Sequence, residues 1–203
     1  MKPSVVVIGG GTGNFSVLSG LKDHEIDLDL TAVVAMSDSG GSSGRLRDEL
    51  GQLPPGDIRQ CLVDLAGDAE QGAMLRQLFT HRFSMGEGLE GHSVGNLLLA
   101  ALTEITGAHD RAIEAASRIL NIRGRVLPVT LTDTHLHAVL SDGRELEEEA
   151  LIDTRGNEDG AEIDHVFLSP LAYAFPPVLE SIANADLIVL SPGDLYTSLI
   201  PNL

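Results

Sequence analysis

Cysteine occurs once in this 203-residue chain, at Cys61, so an internal disulfide and a four-cysteine zinc site are both excluded. Tryptophan is absent and Phe plus Tyr make up only 3% of residues, too few for a platform that stacks single-stranded nucleic acid. Basic residues are also scarce, with 13 Lys+Arg against 30 Asp+Glu, for a formal net charge of −17. A field of that sign repels phosphate at long range, which argues against non-specific binding to nucleic acid or to an anionic membrane. It does not exclude a phosphate site made of backbone N–H groups, which needs no positive net charge. No apolar run approaches the ~20 residues that cross a bilayer. The start, Met1-Lys2-Pro3-Ser4, leads into a short strand and not into a signal-peptide core. A cytoplasmic protein is expected.

What the chain does contain is an alternation of short β-branched runs with helical patterns, the mark of an α/β fold with a mostly parallel sheet. Residues 5–8 and 31–36 read as buried strands, with a helix over 12–21 and an acidic connection over 22–29 between them. Residues 37–56, rich in Gly, Ser and Pro, read as a long loop with one helical turn near 45–50. Helical spacing dominates 57–66, 73–83, 93–106 and 110–121, with a flexible connection over 82–91. Beyond Gly124, strands are predicted at 126–131, 136–140, 163–168 and 187–190, and a short helix at 178–184. Residues 145–152 read as a strand or extended arm, the acidic run 145–149 as a solvated face, and 156–160 as a loop. The expected whole is one nucleotide-binding domain over 1–203, a Rossmann-like three-layer sandwich with a helical insertion at about 57–121. The apolar close at Leu203 reads as a truncation.

Glycine is plentiful, and it clusters where strands end. Gly9-Gly10-Gly11-Thr12-Gly13-Asn14 lies between the first strand and its helix. There the backbone can turn sharply, and the N–H groups and dipole of the helix start favour an anion. The dinucleotide fingerprint fails at Asn14, and the lysine of a P-loop is missing, so this is a phosphate-cradling loop of neither standard type. After the second strand, Asp38-Ser39-Gly40-Gly41-Ser42-Ser43-Gly44-Arg45 offers a carboxylate for a ribose hydroxyl or Mg2+, with hydroxyl and guanidinium donors for phosphate. Asp38 alone also fits an Asx turn. Asp57 fits an N-cap, and Arg59 fits either an anion contact or an internal pair. His92-Ser93-Val94-Gly95-Asn96 opens an apolar helix, with Ser93 as cap and His92 as a donor to phosphate or a bland loop histidine. Ser191-Pro192-Gly193-Asp194-Leu195-Tyr196-Thr197 repeats the strand, glycine loop and helix order, giving a second wall to one crevice. His135 and His137 share a strand face without an evident third ligand, so zinc is not expected there. Cys61 reads as core, and a serine hydrolase is not expected.

Four of these segments, GGGTGNF, SDSGGSSGRLRDELGQLPPGDIRQCL, GHSVGNLLLAAL and SPGDLYTSLIPNL, occur in the order and spacing of the YvcK-type gluconeogenesis factors. The resemblance covers essentially the whole chain. That family is similar in fold to the 2-phospho-L-lactate transferases of deazaflavin-coenzyme synthesis. It implies that Gly10 to Asn14, Asp38 to Gly44, His92 to Asn96 and Gly193 to Thr197 line a nucleotide crevice. It also implies a binder of UDP-sugars such as UDP-N-acetylglucosamine, tied to carbon metabolism and to cell-wall and cell-shape control. Members commonly carry two consecutive acids before the Gly-Gly-Ser-Ser-Gly run, where this chain has Asp38-Ser39. With Asp38 as the only carboxylate of that pair, metal-dependent transfer is less favoured, and Mg2+ is the one cofactor to consider. A transferase would also need a flat aromatic slot, for which Phe15, Phe79, Phe83, Phe167, Phe175, Tyr173 and Tyr196 are the only candidates. The expectation is a regulatory nucleotide-sugar binder without turnover that forms a homo-oligomer, with no nucleic-acid partner and no membrane insertion. A phospholactate-transferase-like enzyme is the alternative.

Overall fold

The computed structural model describes residues 2–22, 27–67, 70–154 and 160–203. Parts of the 22–29 connection and of the 156–160 loop lie outside the described residues. β1 (Ser4–Gly9), β2 (Asp29–Val34), β3 (Arg125–Pro128) and β7 (Leu187–Leu190) form one sheet in the order β3-β2-β1-β7, with every pairing parallel. Parallel strands covered on both faces need continuous apolar runs, and Val5, Val6, Val7, Ala32, Val33 and Val34 are buried accordingly. The flanking helices are α1 (Gly11–Lys22), α3 (Gly56–Asp64), α4 (Glu70–Thr80), α5 (Val94–Thr106), α6 (His109–Leu120) and α8 (Pro176–Ala183). Leu18, Ile58, Leu62, Ile113, Leu120 and Val178 bring these helices onto the main core, and Cys61 lies fully buried among them. Burial pushes the Cys61 thiol well above its ordinary value, as suits core packing. The expected α/β sandwich with its helical insertion is what forms.

Three expectations change. Residues 37–56 are not mainly loop: α2 spans Gly41–Leu50 and buries Ser42, Ser43, Leu46 and Arg47. Its glycines lower helix propensity but permit contact, since a Cβ on Gly44 would overlap the Ser39 carbonyl, and Gly51 caps the helix at φ 61°. The arm at 145–152 splits into β5 (Glu145–Glu147) and the short α7 (Glu149–Asp153). The connection at 82–91 is held by its own backbone, with Gly91 N–H donating to Phe83 O and Phe83 N–H to His92 O.

β5 pairs with β4 (His135–Leu140), and β4 with β6 (Ile163–Ser169), in a second, antiparallel sheet of order β5-β4-β6. Its inner face buries Leu136 and Ala138 against Ile152 of α7 and Tyr196. A π-helical turn at Leu195–Leu199 and a 3-10 turn at Ile200–Asn202 close the chain. Among the described residues no helix is long and apolar enough to cross a membrane.

Candidate functional site

Because the four strands of the main sheet run parallel, the loops after β1, β2 and β7 emerge at the same edge. Glycines let them touch. A Cβ on Gly13 would overlap the Pro192 carbonyl oxygen, and one on Gly11 would lie 2.6 Å from Asp57 Oδ1 and 2.9 Å from Asp57 Cα. Buried Asn14 ties the first loop to its neighbour, donating from Nδ2 to Gly9 O at 3.3 Å and to Val33 O at 3.0 Å. The loop is therefore shaped as much by protein packing as by any ligand.

Between these loops lies a polar cavity of about 520 Å³, within the range of small-molecule sites. Gly11, Thr12, Gly13 and Ser16 form one wall, Ser37 and Asp38 another, and Pro192, Gly193, Asp194, Thr197 and Ser198 a third. Asp57 enters from α3, and Glu149 and Asp153 from α7. Asp38 Oδ1 accepts the Gly40 N–H at 2.9 Å, so the Asx turn forms while the residue still borders the cavity. Asp57 does not cap α3; its carboxylate accepts the Gly11 N–H. Burial, with the Asp38 charge second, raises the Asp57 pKa from 3.8 to about 6. Glu149 is raised from 4.5 to about 7 by burial first and Asp38 second, although it accepts the Ser39 N–H. Ala150 N–H donates to Ser39 Oγ at 3.0 Å, so Ser39 docks α7 and brings Glu149 to the cavity. Asp194 accepts from Tyr196 N and Thr197 N at 2.9 and 3.1 Å and fixes the third wall. Five carboxylates beside a helix start make a site with two demands. The N–H groups of α1 suit an anion, and the acids suit a hard divalent cation with oxygen ligands.

Of the residues predicted from sequence, Gly11, Thr12, Gly13, Asp38, Pro192, Gly193 and Thr197 line this cavity. Gly10 stands just behind it, 3.4 Å from Asp57 Oδ2 by its would-be Cβ. Asn14, Ser39, Gly40, Gly41, Ser42, Ser43, Arg45, His92, Asn96 and Tyr196 are not among the lining residues. Most of them build the scaffold. Ser42 Oγ lies 3.0 Å from His92 Nδ1 and accepts from Asn96 Nδ2 at 3.2 Å, while Arg59 Nε donates to Asn96 Oδ1 at 3.0 Å. This buried chain joins α2, α3 and α5, and burial lowers the Arg59 pKa. Ser93 caps α5 as expected, accepting from Asn96 N at 3.2 Å. Arg45 turns outward to Glu90 O at 2.8 Å. Gly40-Gly41-Ser42-Ser43-Gly44 does match the spacing of a hydrolase elbow, and Ser42 meets His92. Both are buried off the cavity, and the segment opens α2 from a loop instead of following a strand directly. Tyr196 packs on the small sheet's core.

Asp57, Glu149 and Asp153 were not picked out as site residues by sequence reasoning, and Asp194 was expected at the crevice only as part of the Gly193 to Thr197 stretch. For Asp57, the nearby Pro-Pro-Gly suggested a cap; the usable signal was an acid opening a helix immediately after a glycine. Glu149 was hidden inside an acidic run, of which Glu145 and Glu147 are exposed as predicted while Glu149 turns inward.

Similarities to known proteins agree with this architecture. The family described as "2-phospho-L-lactate transferase CofD" matches residues 5–203. A putative gluconeogenesis factor of a Nostoc species is 49% identical over 201 residues, covering 99% of this chain and 42% of that protein. The gluconeogenesis factor of Bacillus subtilis is 47% identical over 203 residues, covering all of this chain and 61% of that one. A crystal structure of a Bacillus halodurans protein superposes with a TM-score of 0.91 at 47% identity, covering 100% of this chain and 63% of its own. The chain thus spans less than two thirds of the length of these relatives. On a match that runs from the first strand to the last residue, this chain belongs to the CofD family, alongside the proteins named gluconeogenesis factors.

Proposed function

We propose that this chain is the nucleotide-sugar-binding part of a cytoplasmic regulatory protein linked to carbon metabolism and cell-wall or cell-shape control. In this reading it binds a UDP-sugar such as UDP-N-acetylglucosamine together with Mg2+, without turning it over. The observation that carries this is the juxtaposition of the α1 start with five carboxylates in one cavity. A bare diphosphate is repelled there, whereas a diphosphate with a divalent cation satisfies both the N–H groups and the acids. Asp38 and Asp57 would hold the cation, which would neutralise the diphosphate; Thr12 and Gly13 would face its oxygens. The names of the relatives support the metabolic role. A homo-oligomer is also expected.

The family match favours a second reading, a phospholactyl transfer from a nucleotide conjugate. Against it, none of the described residues lining the cavity is aromatic, so a flat deazaflavin finds no stacking surface. Calorimetric titration with UDP-N-acetylglucosamine, with and without Mg2+, separates the two readings when run beside GDP plus a deazaflavin. The expected result is Mg2+-dependent heat with the UDP-sugar alone, and loss of the Mg2+ dependence in Asp38→Asn. Heat only from GDP with the deazaflavin supports the transferase, and silence toward the UDP-sugar overturns the binding proposal.

A further inference from the structure

The small sheet has an outer face as well as the one that packs inward. Register places His137 of β4 directly opposite Glu147 of β5, and Val139 opposite Glu145. Residues paired across strands, or two apart on one strand, project to the same side. His137, Glu145 and Glu147 therefore converge, and one ligand-type atom from each lies within 4.8 Å of the other two. His137 Nδ1 is already 2.9 Å from Glu145 Oε1. On the other flank Phe167 stacks against the imidazole, with centroids 5.1 Å apart and planes 19° apart, and so restrains its orientation. The Glu147 carboxylate has no hydrogen-bond or ion-pair partner among the described residues. None of the three borders the acidic cavity.

The geometry points to a transition-metal site of the zinc type at His137, Glu145 and Glu147, with water completing the coordination. An imidazole nitrogen with two carboxylate oxygens is a borderline donor set that zinc takes readily, whereas Mg2+ and Ca2+ prefer oxygen alone. A tetrahedral ion bound at about 2.1 Å holds its ligands about 3.4 Å apart. The trio reaches that spacing by rotation of two exposed glutamates on backbones already fixed by pairing. The ion also relieves the repulsion between the two carboxylates. Its placement ties β4 to the end of β5, from which Glu148, at φ 85°, leads directly to Glu149. The ion is therefore a staple on the hairpin that delivers α7 to the cavity.

The test is competition for Zn2+ between the chelator-treated protein and a chromophoric chelator, in excess Mg2+ so that all-oxygen sites are occupied. One zinc per chain is expected. Loss of a second-sphere partner already weakens metal sites about 10-fold, so His137→Gln and Glu147→Gln are each expected to weaken binding by more than about 10-fold. Asp38→Asn, which alters the cavity, should leave zinc binding unchanged. Co2+ should give visible absorption in the wild type and none in His137→Gln, with circular dichroism reporting that each variant folds. Absence of bound zinc, or wild-type affinity in folded His137→Gln or Glu147→Gln, overturns the site and leaves an ordinary His–Glu pair.

Discussion

Asp57 and Glu149 hold their protons to higher pH than they would in the unfolded chain, where 3.8 and 4.5 apply. For such a group the stabilising contribution is complete below the unfolded pKa and is lost as pH rises through the folded one. The cation-free protein is therefore expected to lose stability between about pH 4 and about pH 7, with a fall in Tm of order 5 °C in thermal melts. Asp57→Asn should flatten that slope, and saturating Mg2+ should reverse it by favouring the ionised acids. Glycine positions set a second residue-scale limit. In Gly13→Ala the added methyl meets the Pro192 carbonyl, where backbone faces backbone and neither can yield cheaply. A loss of about 2 kcal/mol or more is expected in urea unfolding. Gly11→Val brings its side chain against Asp57 Cα and so disturbs α3 as well as the loop. The glycine loop itself was legible from its place after a buried strand. That Gly11 and Gly13 also serve packing was not, because their partners Asp57 and Pro192 are 46 and 179 residues away in the chain.

At the scale of elements, the buried chain Arg59–Asn96–Ser42–His92 shows why some predicted ligand residues are scaffold. Polar side chains at the starts of α2 and α5 find each other instead of solvent. Asn96→Ala removes both of its side-chain contacts and leaves Nε of Arg59, a residue only 8% exposed, without its acceptor. A cost of about 2–4 kcal/mol is expected in urea unfolding, with the slope against denaturant unchanged. The main strands and the longer helices were legible because their apolar periods are long and uninterrupted. α2 was not, since three glycines and three serines within 39–44 carry no helical period; contacts with Ser39, Asp133 and His92 make it a helix. α7 was hidden for a related reason: a five-residue helix has too few turns to show periodicity, and it forms where Ser39 Oγ accepts the Ala150 N–H of its first turn.

Over the whole molecule, two sheets of different kind share one cavity, the parallel sheet supplying the loops and the antiparallel sheet supplying α7. The crevice expected from the sequence at the carboxyl ends of the parallel strands coincides with the cavity, because that location follows from topology alone. It could not weigh the acidic wall, which depends on how the second sheet lies against the first loops. That wall has a kinetic consequence. An anionic ligand approaching a chain of net charge −17 meets repulsion at long range, and five carboxylates line the cavity that it enters. Salt shortens the reach of that repulsion from about 30 Å at 0.01 M to about 8 Å at 0.15 M. Stopped-flow association of a nucleotide-sugar should therefore speed up as ionic strength rises, the reverse of a steered encounter. Pre-loading with Mg2+ should raise the rate further than adding the two together, making the encounter an ordered one with the cation first.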